Sequence, residues 1–215
     1  MVMNPHDLLK IKKTTKLLSS PEIPEWVPES LQDVPYVVVR RAPMSEGMIP
    51  IGVRGKKRNQ RFGAYIAEEN IVHLISPVTI LQKYAWREKI SNSPMPAIKA
   101  LGHVHEIFKP YNLLWGPAGS VGFEMVSKCQ TVTKSSDLDV VVYADEVLLI
   151  EVVENIVNKL NQLSVMVDVQ IETPNGSVSL REYDREEGPI LMKTIDGAKL
   201  VHNPWEPEFV KAPYW

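Results

Sequence analysis

Apolar and polar positions change period along the chain, and the changes mark its elements. Pro21, Pro24, Pro28 and Pro35 punctuate an early stretch. Each fixes its own φ and restricts the residue before it, so this stretch predicts turns and at most short helices. Residues 36–40 read YVVVR, a β-branched run suited to a buried strand. Residues 49–53 and 62–66 are two further strand candidates. Between them residues 54–61 read RGKKRNQR, a polar turn. The pattern predicts a small antiparallel sheet with a basic hairpin tip.

At residue 76 the period switches. Ser76 before Pro77 is a helix start, and Ile80, Leu81, Tyr84, Ala85 and Ile90 recur at helical spacing, predicting one helix to about residue 90. The polar stretch Ser91-Asn92-Ser93-Pro94 breaks it. We place a domain boundary there, giving an N-terminal domain over residues 1–92 and a second domain over residues 93–215.

The second half predicts a helix over 97–108, a short strand over 112–116, and a turn at Gly119-Ser120 into a short helix. A strand over 138–143 (LDVVVY) follows, then an amphipathic helix over 145–163 with Val147, Ile150, Val153, Ile156, Val157 and Leu160 on one face. Residues 165–171 (VMVDVQI) are a strand. Thr173-Pro174-Asn175-Gly176 turns it into a hairpin with residues 178–183, and residues 190–194 add one more strand. Such an order is an α/β sandwich around a mixed sheet, so the chain as a whole is read as α+β/α/β.

Composition narrows the function classes. With 215 residues, 44% hydrophobic and 23% charged, the chain has the make-up of an ordinary globular protein. Lys plus Arg is 24 against 26 Asp plus Glu, a net charge of −2, which argues against nucleic acid as the partner. No apolar run approaches the ~20 residues needed to span a bilayer, so no membrane partner is expected. The first residues lack the basic-then-apolar order of a signal peptide. The lone Cys129 cannot form an internal disulfide. These features together predict a cytoplasmic location.

Chemistry concentrates in Ser136-Asp137-Leu138-Asp139 at the start of the 138–143 strand. Aspartates at i and i+2 on a strand share a face, where like charges repel unless a cation stands between them. A hard divalent ion such as Mg²⁺ or Mn²⁺ prefers such oxygen ligands. The plainer alternative is a turn aspartate beside a solvated one. Two further features favour the metal. Gly119 and Ser120, at a strand-to-helix turn, offer backbone N–H groups and a hydroxyl to a phosphate. Asp168 sits mid-strand between Val167 and Val169, and the strand's alternation directs it to the face of Gln170 and Glu172. If that strand neighbours 138–143, Asp168 joins Asp137 and Asp139. Glu172 competes with it as third carboxylate.

Gly-Ser, then Asp-Leu-Asp on a strand, then a lone Asp on a later strand resembles the DNA polymerase beta-type nucleotidyltransferase superfamily. That resemblance implies a nucleotidyltransferase-like mixed sheet with helices following the small antiparallel β domain. The spacing from Ser120 to Asp137 exceeds the compact version of the pattern, which marks residues 127–134 as an insertion.

A narrower resemblance spans nearly the whole chain. His6-Asp7-Leu8-Leu9, VVVRRAP at 37–43, IPIGVRGKKRNQRFGAYI at 49–66, WGPAGSVGFE at 115–124, SDLDVVV and VDVQIETPNGSVSLREY resemble the malonate decarboxylase holo-[acyl-carrier-protein] synthases, also called phosphoribosyl-dephospho-CoA transferases. The resemblance implies transfer of the 2′-(5″-phosphoribosyl)-3′-dephospho-CoA prosthetic group from its 5″-triphosphate precursor to a serine of the acyl-carrier subunit of malonate decarboxylase, with loss of pyrophosphate. It implies Mg²⁺ or Mn²⁺ on Asp137, Asp139 and Asp168, and the triphosphate at Gly119 and Ser120. A transferase using an ordinary nucleoside triphosphate on another acceptor, or a non-catalytic binding module, are the alternatives.

The basic run Arg54, Lys56, Lys57, Arg58 and Arg61 has four readings: a solvated hairpin tip, a bidentate clamp on the triphosphate, a receiver for an acidic carrier protein, or an RNA contact, the last disfavoured by sparse aromatic residues and the negative net charge. Arg40 and Arg41 adjoin it. His6-Asp7 reads as local capping rather than a catalytic pair. Trp205, Phe209, Tyr214 and Trp215 read as a strap over the second domain.

Overall fold

The structure is a computed structural model and describes residues 3–44, 47–57, 59–83, 86–185 and 188–210. Two mixed helix–sheet domains pack together. The first contains β1 (Leu8–Ile11), α1 (Trp26–Asp33), β2 (Tyr36–Val39), β3 (Met48–Arg54), β4 (Arg61–Ala67) and β5 (Ile71–Ile75). Its five-stranded sheet is antiparallel, in the order β4-β3-β2-β1-β5. Alternation gives that sheet two different faces. Leu9, Ile11, Val37, Val39, Ile49, Ile51, Val53, Ala64 and Ile66 are buried in one core with Val27 and Leu31 of α1. Leu8 and Val38, on the opposite face, join the core of the second domain.

Next come α2 (Pro77–Lys83), α3 (Trp86–Asn92), α4 (Pro96–Phe108), β6 (Leu114–Pro117), α5 (Gly119–Ser127), β7 (Leu138–Tyr143), α6 (Ile150–Leu160), β8 (Val167–Thr173), β9 (Gly176–Ser179), α7 (Leu180–Asp184), β10 (Ile190–Thr194), β11 (Gly197–Val201) and β12 (Phe209–Val210). The seven strands form one mixed sheet, β12-β11-β10-β9-β8-β7-β6. Among the described residues β7 and β8 are its parallel pair, joined across α6; the other pairings are antiparallel. Helices α2 and α3 pack with this domain: Ile80 and Trp86 lie in its core. No helix among the described residues is long and apolar enough to cross a membrane.

Several elements depart from their predicted bounds for local reasons. The helix predicted from Ser76 to about residue 90 is described as α2 and α3; Tyr84 and Ala85 between them lie outside the described residues. The 145–163 helix is confined to α6. The Leu148 carbonyl accepts the Tyr183 hydroxyl at 2.9 Å, which holds the chain out of the helix just before its first turn, and Val147 is exposed. The hairpin strand over 178–183 gives way after Ser179 to α7, where Tyr183 packs edge-on against Trp205. The Trp205 indole N–H donates to the Ala144 carbonyl at 2.8 Å, so this part of the aromatic tail does strap the second domain; Tyr214 and Trp215 lie outside the described residues.

Candidate active site

A cleft of about 970 Å³ opens between the two domains. One wall is the exposed face of the first sheet, contributing His6, Arg40, Gly52, Arg54, Arg61 and Gly63. The other is the lip of the second sheet, with Gly119, Ser120, Asp137, Asp139 and Asp168.

The second wall follows from sheet register. β7 and β8 run parallel with Asp139 directly beside Asp168, so both side chains rise from one face, a strand spacing of ~4.8 Å apart. Val167 and Val169 point into the core, as the alternation predicts. Asp137 precedes β7 by one residue and is exposed, while Asp139 is half-buried. Burial pushes the Asp139 carboxyl up, and the negative charges of Asp168 and then Asp137 push it further; His6 and Arg54 pull the other way.

Gly119 is required twice over. Its φ is +52°, in the left-handed region, and a Cβ there would stand 1.8 Å from Asp139 Oδ2. The Ala118 N–H donates to the Asp139 carbonyl at 2.9 Å, tying the turn to β7. Helix α5 thus begins against the carboxylates, with its free first-turn N–H groups and Ser120 at the cleft. The loop after α5 is tied to the helix that precedes it. Buried Glu124 accepts the N–H groups of Thr131 and Val132, both at 2.8 Å, and pairs with Lys89 at 3.0 Å. The Thr131 hydroxyl donates to the Ser120 carbonyl at 2.9 Å, so the loop forms part of the cleft edge.

Glu172 is placed elsewhere. It lies on the same face of β8 as Asp168 but is buried at the domain junction, bonded by the Arg41 guanidinium and 3.4 Å from His6 Nε2. Burial pushes its carboxyl up, but His6 and Arg41 outweigh this and hold it below the ordinary range. Asp168, not Glu172, therefore stands with Asp137 and Asp139.

The basic run divides. Arg54 and Arg61 face each other across β3 and β4 on the cleft wall, and Arg54 lies 5.9 Å from the Phe123 ring. Lys56 turns to Asp33 of α1, 3.0 Å away. Arg58 lies outside the described residues. Sequence reasoning set His6 aside, and the structure brings it to the cleft. Its φ is +74°, uncommon for a residue with a side chain. The neighbouring buried Asp7, whose Oδ2 accepts the Asn4 N–H at 2.9 Å, closes the turn that presents it. That φ has no sequence signal; the adjacent His-Asp was the available clue.

Among the described residues no three His, Cys, Asp or Glu side chains are already gathered closely enough to enclose a metal ion. The donor set nevertheless fits a hard divalent cation. All its groups are carboxylates, their charges oppose one another at Asp139, and Asp137 and Asp168 are exposed.

Comparison with known proteins decides the family. The model of the phosphoribosyl-dephospho-CoA transferase MdcG C-terminal domain matches residues 81–204, and that of the MdcG N-terminal domain matches residues 4–77. The chain belongs to the phosphoribosyl-dephospho-CoA transferase family. Relatives of that name include proteins of Pseudomonas syringae pv. tomato, 33% identical over 95% of this chain and 94% of theirs, and Klebsiella pneumoniae, 32% identical over 95% and 97%. One from Azotobacter vinelandii is 32% identical over 95% of both chains. No solved structure matches the chain. As a phosphoribosyl-dephospho-CoA transferase family member it is an enzyme, a transferase, and the cleft is the candidate seat of its reaction.

Proposed function

We propose that this transferase moves the 2′-(5″-phosphoribosyl)-3′-dephospho-CoA group from its 5″-triphosphate precursor to a serine of the acyl-carrier subunit of malonate decarboxylase. The serine Oγ attacks the α-phosphorus, the bond to the β-phosphate oxygen breaks, and pyrophosphate leaves with the electron pair. The observation that carries this reading is the pairing of Asp139 with Asp168 across β7 and β8, beside a glycine-led helix start and opposite an arginine-bearing wall.

In this reading Asp137, Asp139 and Asp168 hold Mg²⁺ or Mn²⁺, which supplies charge neutralisation at the phosphates and lowers the pKa of the attacking hydroxyl. Asp168 receives the serine proton. Gly119 and Ser120 bind phosphate oxygens through backbone N–H groups and the hydroxyl. Arg54 and Arg61 hold the departing pyrophosphate, and Arg58 belongs to the same basic run. The mixed-sheet domain is then a nucleotidyltransferase-like domain of the DNA polymerase beta type, working in the cytoplasm, where an unpaired cysteine is stable.

The test is the intact mass of purified apo carrier protein after incubation with the enzyme, the triphosphate precursor and Mg²⁺. The expected result is a gain of one prosthetic group on one serine, abolished by EDTA. Ready labelling from ATP with no mass gain from the precursor would replace this reading with transfer from an ordinary nucleoside triphosphate.

A further inference from the structure

The first-domain wall is bare of side chains along part of its cleft face. On its cleft face the register lines up Leu8, Val38, Gly52 and Gly63 as one row across β1, β2, β3 and β4. Gly52 and Gly63 are direct partners, so half of this row has no side chains. Arg54 and Arg61 are the paired residues two positions further along β3 and β4, ~7 Å from the glycine pair on the same face. Arg40 emerges on the opposite side of the row, where its N–H donates to the Pro50 carbonyl at 2.9 Å.

The Arg40 side chain runs across the bare strip. A Cβ on Gly52 would meet its Cγ and Cδ at 3.6 Å, and a Cβ on Gly63 would stand 2.2 Å from its Nη1 and 2.9 Å from its Cζ. The stem therefore crosses β3 and the guanidinium rests over Gly63 of β4, two positions from Arg61. Arg40 makes no ion pair with a carboxylate among the described residues. Arg40, just past the end of β2, and Arg54 and Arg61 on β3 and β4 thus border a patch with an open backbone floor. Across the cleft is Asp139, within electrostatic reach of His6 beside Arg40's end of the strip and of Arg54 beyond it. A ligand that suits both walls carries several negative charges towards the arginines and shares a cation with the aspartates. That description fits a polyphosphate.

We propose that Arg40, laid over the Gly52–Gly63 strip, is a pyrophosphate-binding residue that completes an anion site with Arg54 and Arg61. The inference deepens the proposed transfer and rests on pyrophosphate being its leaving group. Glycine at 63 is then a positioning residue: it leaves the room through which the guanidinium reaches the site. Because the obstacle at Gly63 is the far end of a flexible side chain, Gly63→Ala displaces Arg40 without disturbing backbone.

Isothermal titration of inorganic pyrophosphate with MgCl₂ into the full chain tests this. Arg40→Ala should weaken binding by about tenfold or more, the size expected for a charge-assisted contact. Gly63→Ala should weaken it as well, with an unchanged melting temperature, and adding Gly63→Ala to Arg40→Ala should cost nothing more. Binding by Arg40→Ala within about twofold of wild type would overturn the proposal. An equal loss from Gly63→Ala with and without Arg40 would also overturn it, since the glycine would then act on its own. Should Arg40→Ala fail to fold, Arg40→Gln with and without Gly63→Ala supplies the same cycle. A wild-type chain that modifies the carrier but does not bind pyrophosphate sinks this inference and leaves the transfer standing. Arg40-dependent pyrophosphate binding without carrier modification does the reverse.

Discussion

Gly119 and Asp139 show how closely single residues are constrained here. Gly119→Ala would combine the ~1–2 kcal/mol cost of a left-handed backbone with a Cβ inside the Asp139 carboxylate. The expected outcome is an unfolding free energy, read from denaturant curves, lowered by at least that amount, and loss of transfer. Asp139→Asn should act in opposite directions on stability and activity. Its carboxyl is pushed up by burial and by Asp168 and Asp137, so ionised Asp139 opposes folding. Without metal, Asp139→Asn should melt higher than wild type near neutral pH, while transfer falls by orders of magnitude. A lower melting temperature together with near-normal turnover would remove Asp139 from the reaction centre. The Asp-Leu-Asp pair was legible from its i, i+2 spacing. The turn at Gly119-Ser120 was legible as well, but the positive φ values of Gly119 and His6 were not, because neither leaves a hydrophobic period.

The junction between β1 and β8 works at the scale of elements. Arg41 and His6 reach Glu172, a contact spanning 131 positions of sequence between Arg41 and Glu172, which no local pattern announces. Beside it burial raises the Asp7 carboxyl from 3.8 to about 6, with the Asn4 N–H pulling it down and Glu172 adding to the rise. The two groups respond to pH with opposite sign. Glu172, held low, contributes stability that is present above the ordinary carboxylate pKa and lost as pH falls through its own. Asp7, held high, contributes stability that is complete below 3.8 and lost as pH rises through about 6. Asp7→Asn should therefore gain on wild type as pH rises from about 4 to 7, by up to about 3 kcal/mol, and then level off. Melting curves at several pH values check this, and a gap that stays constant would contradict it. Short elements such as β1 and β5 escaped the sequence reading for a related reason: four or five residues, one of them His73, give too little alternation to stand out. β2 is as short as β1 but was legible as an unbroken β-branched run, and the longer β3, β4, β7 and β8 were legible because each alternates or stays apolar for most of its length.

At the scale of the molecule, two sheets face each other across one cleft, one offering carboxylates and the other arginines. For the proposed transfer neither wall suffices by itself, so that reaction depends on how the domains meet. The two carboxylates of β8 are placed differently by that meeting: Asp168 at the cleft and Glu172 at the junction. The sequence reading left these two in competition, since both share a face and only the position of the other domain separates them. The most direct measurement is the single-turnover rate of carrier modification at saturating precursor and Mg²⁺ for Asp168→Asn and Glu172→Gln. Asp168→Asn should slow the chemical step by orders of magnitude, with precursor affinity changed only a few-fold, as for an interaction made mainly in the transition state. Glu172→Gln should lower the melting temperature and leave most of that rate in the folded fraction. A chemical step destroyed by Glu172→Gln and retained by Asp168→Asn would contradict the assignment of the reaction centre to the β7–β8 aspartates.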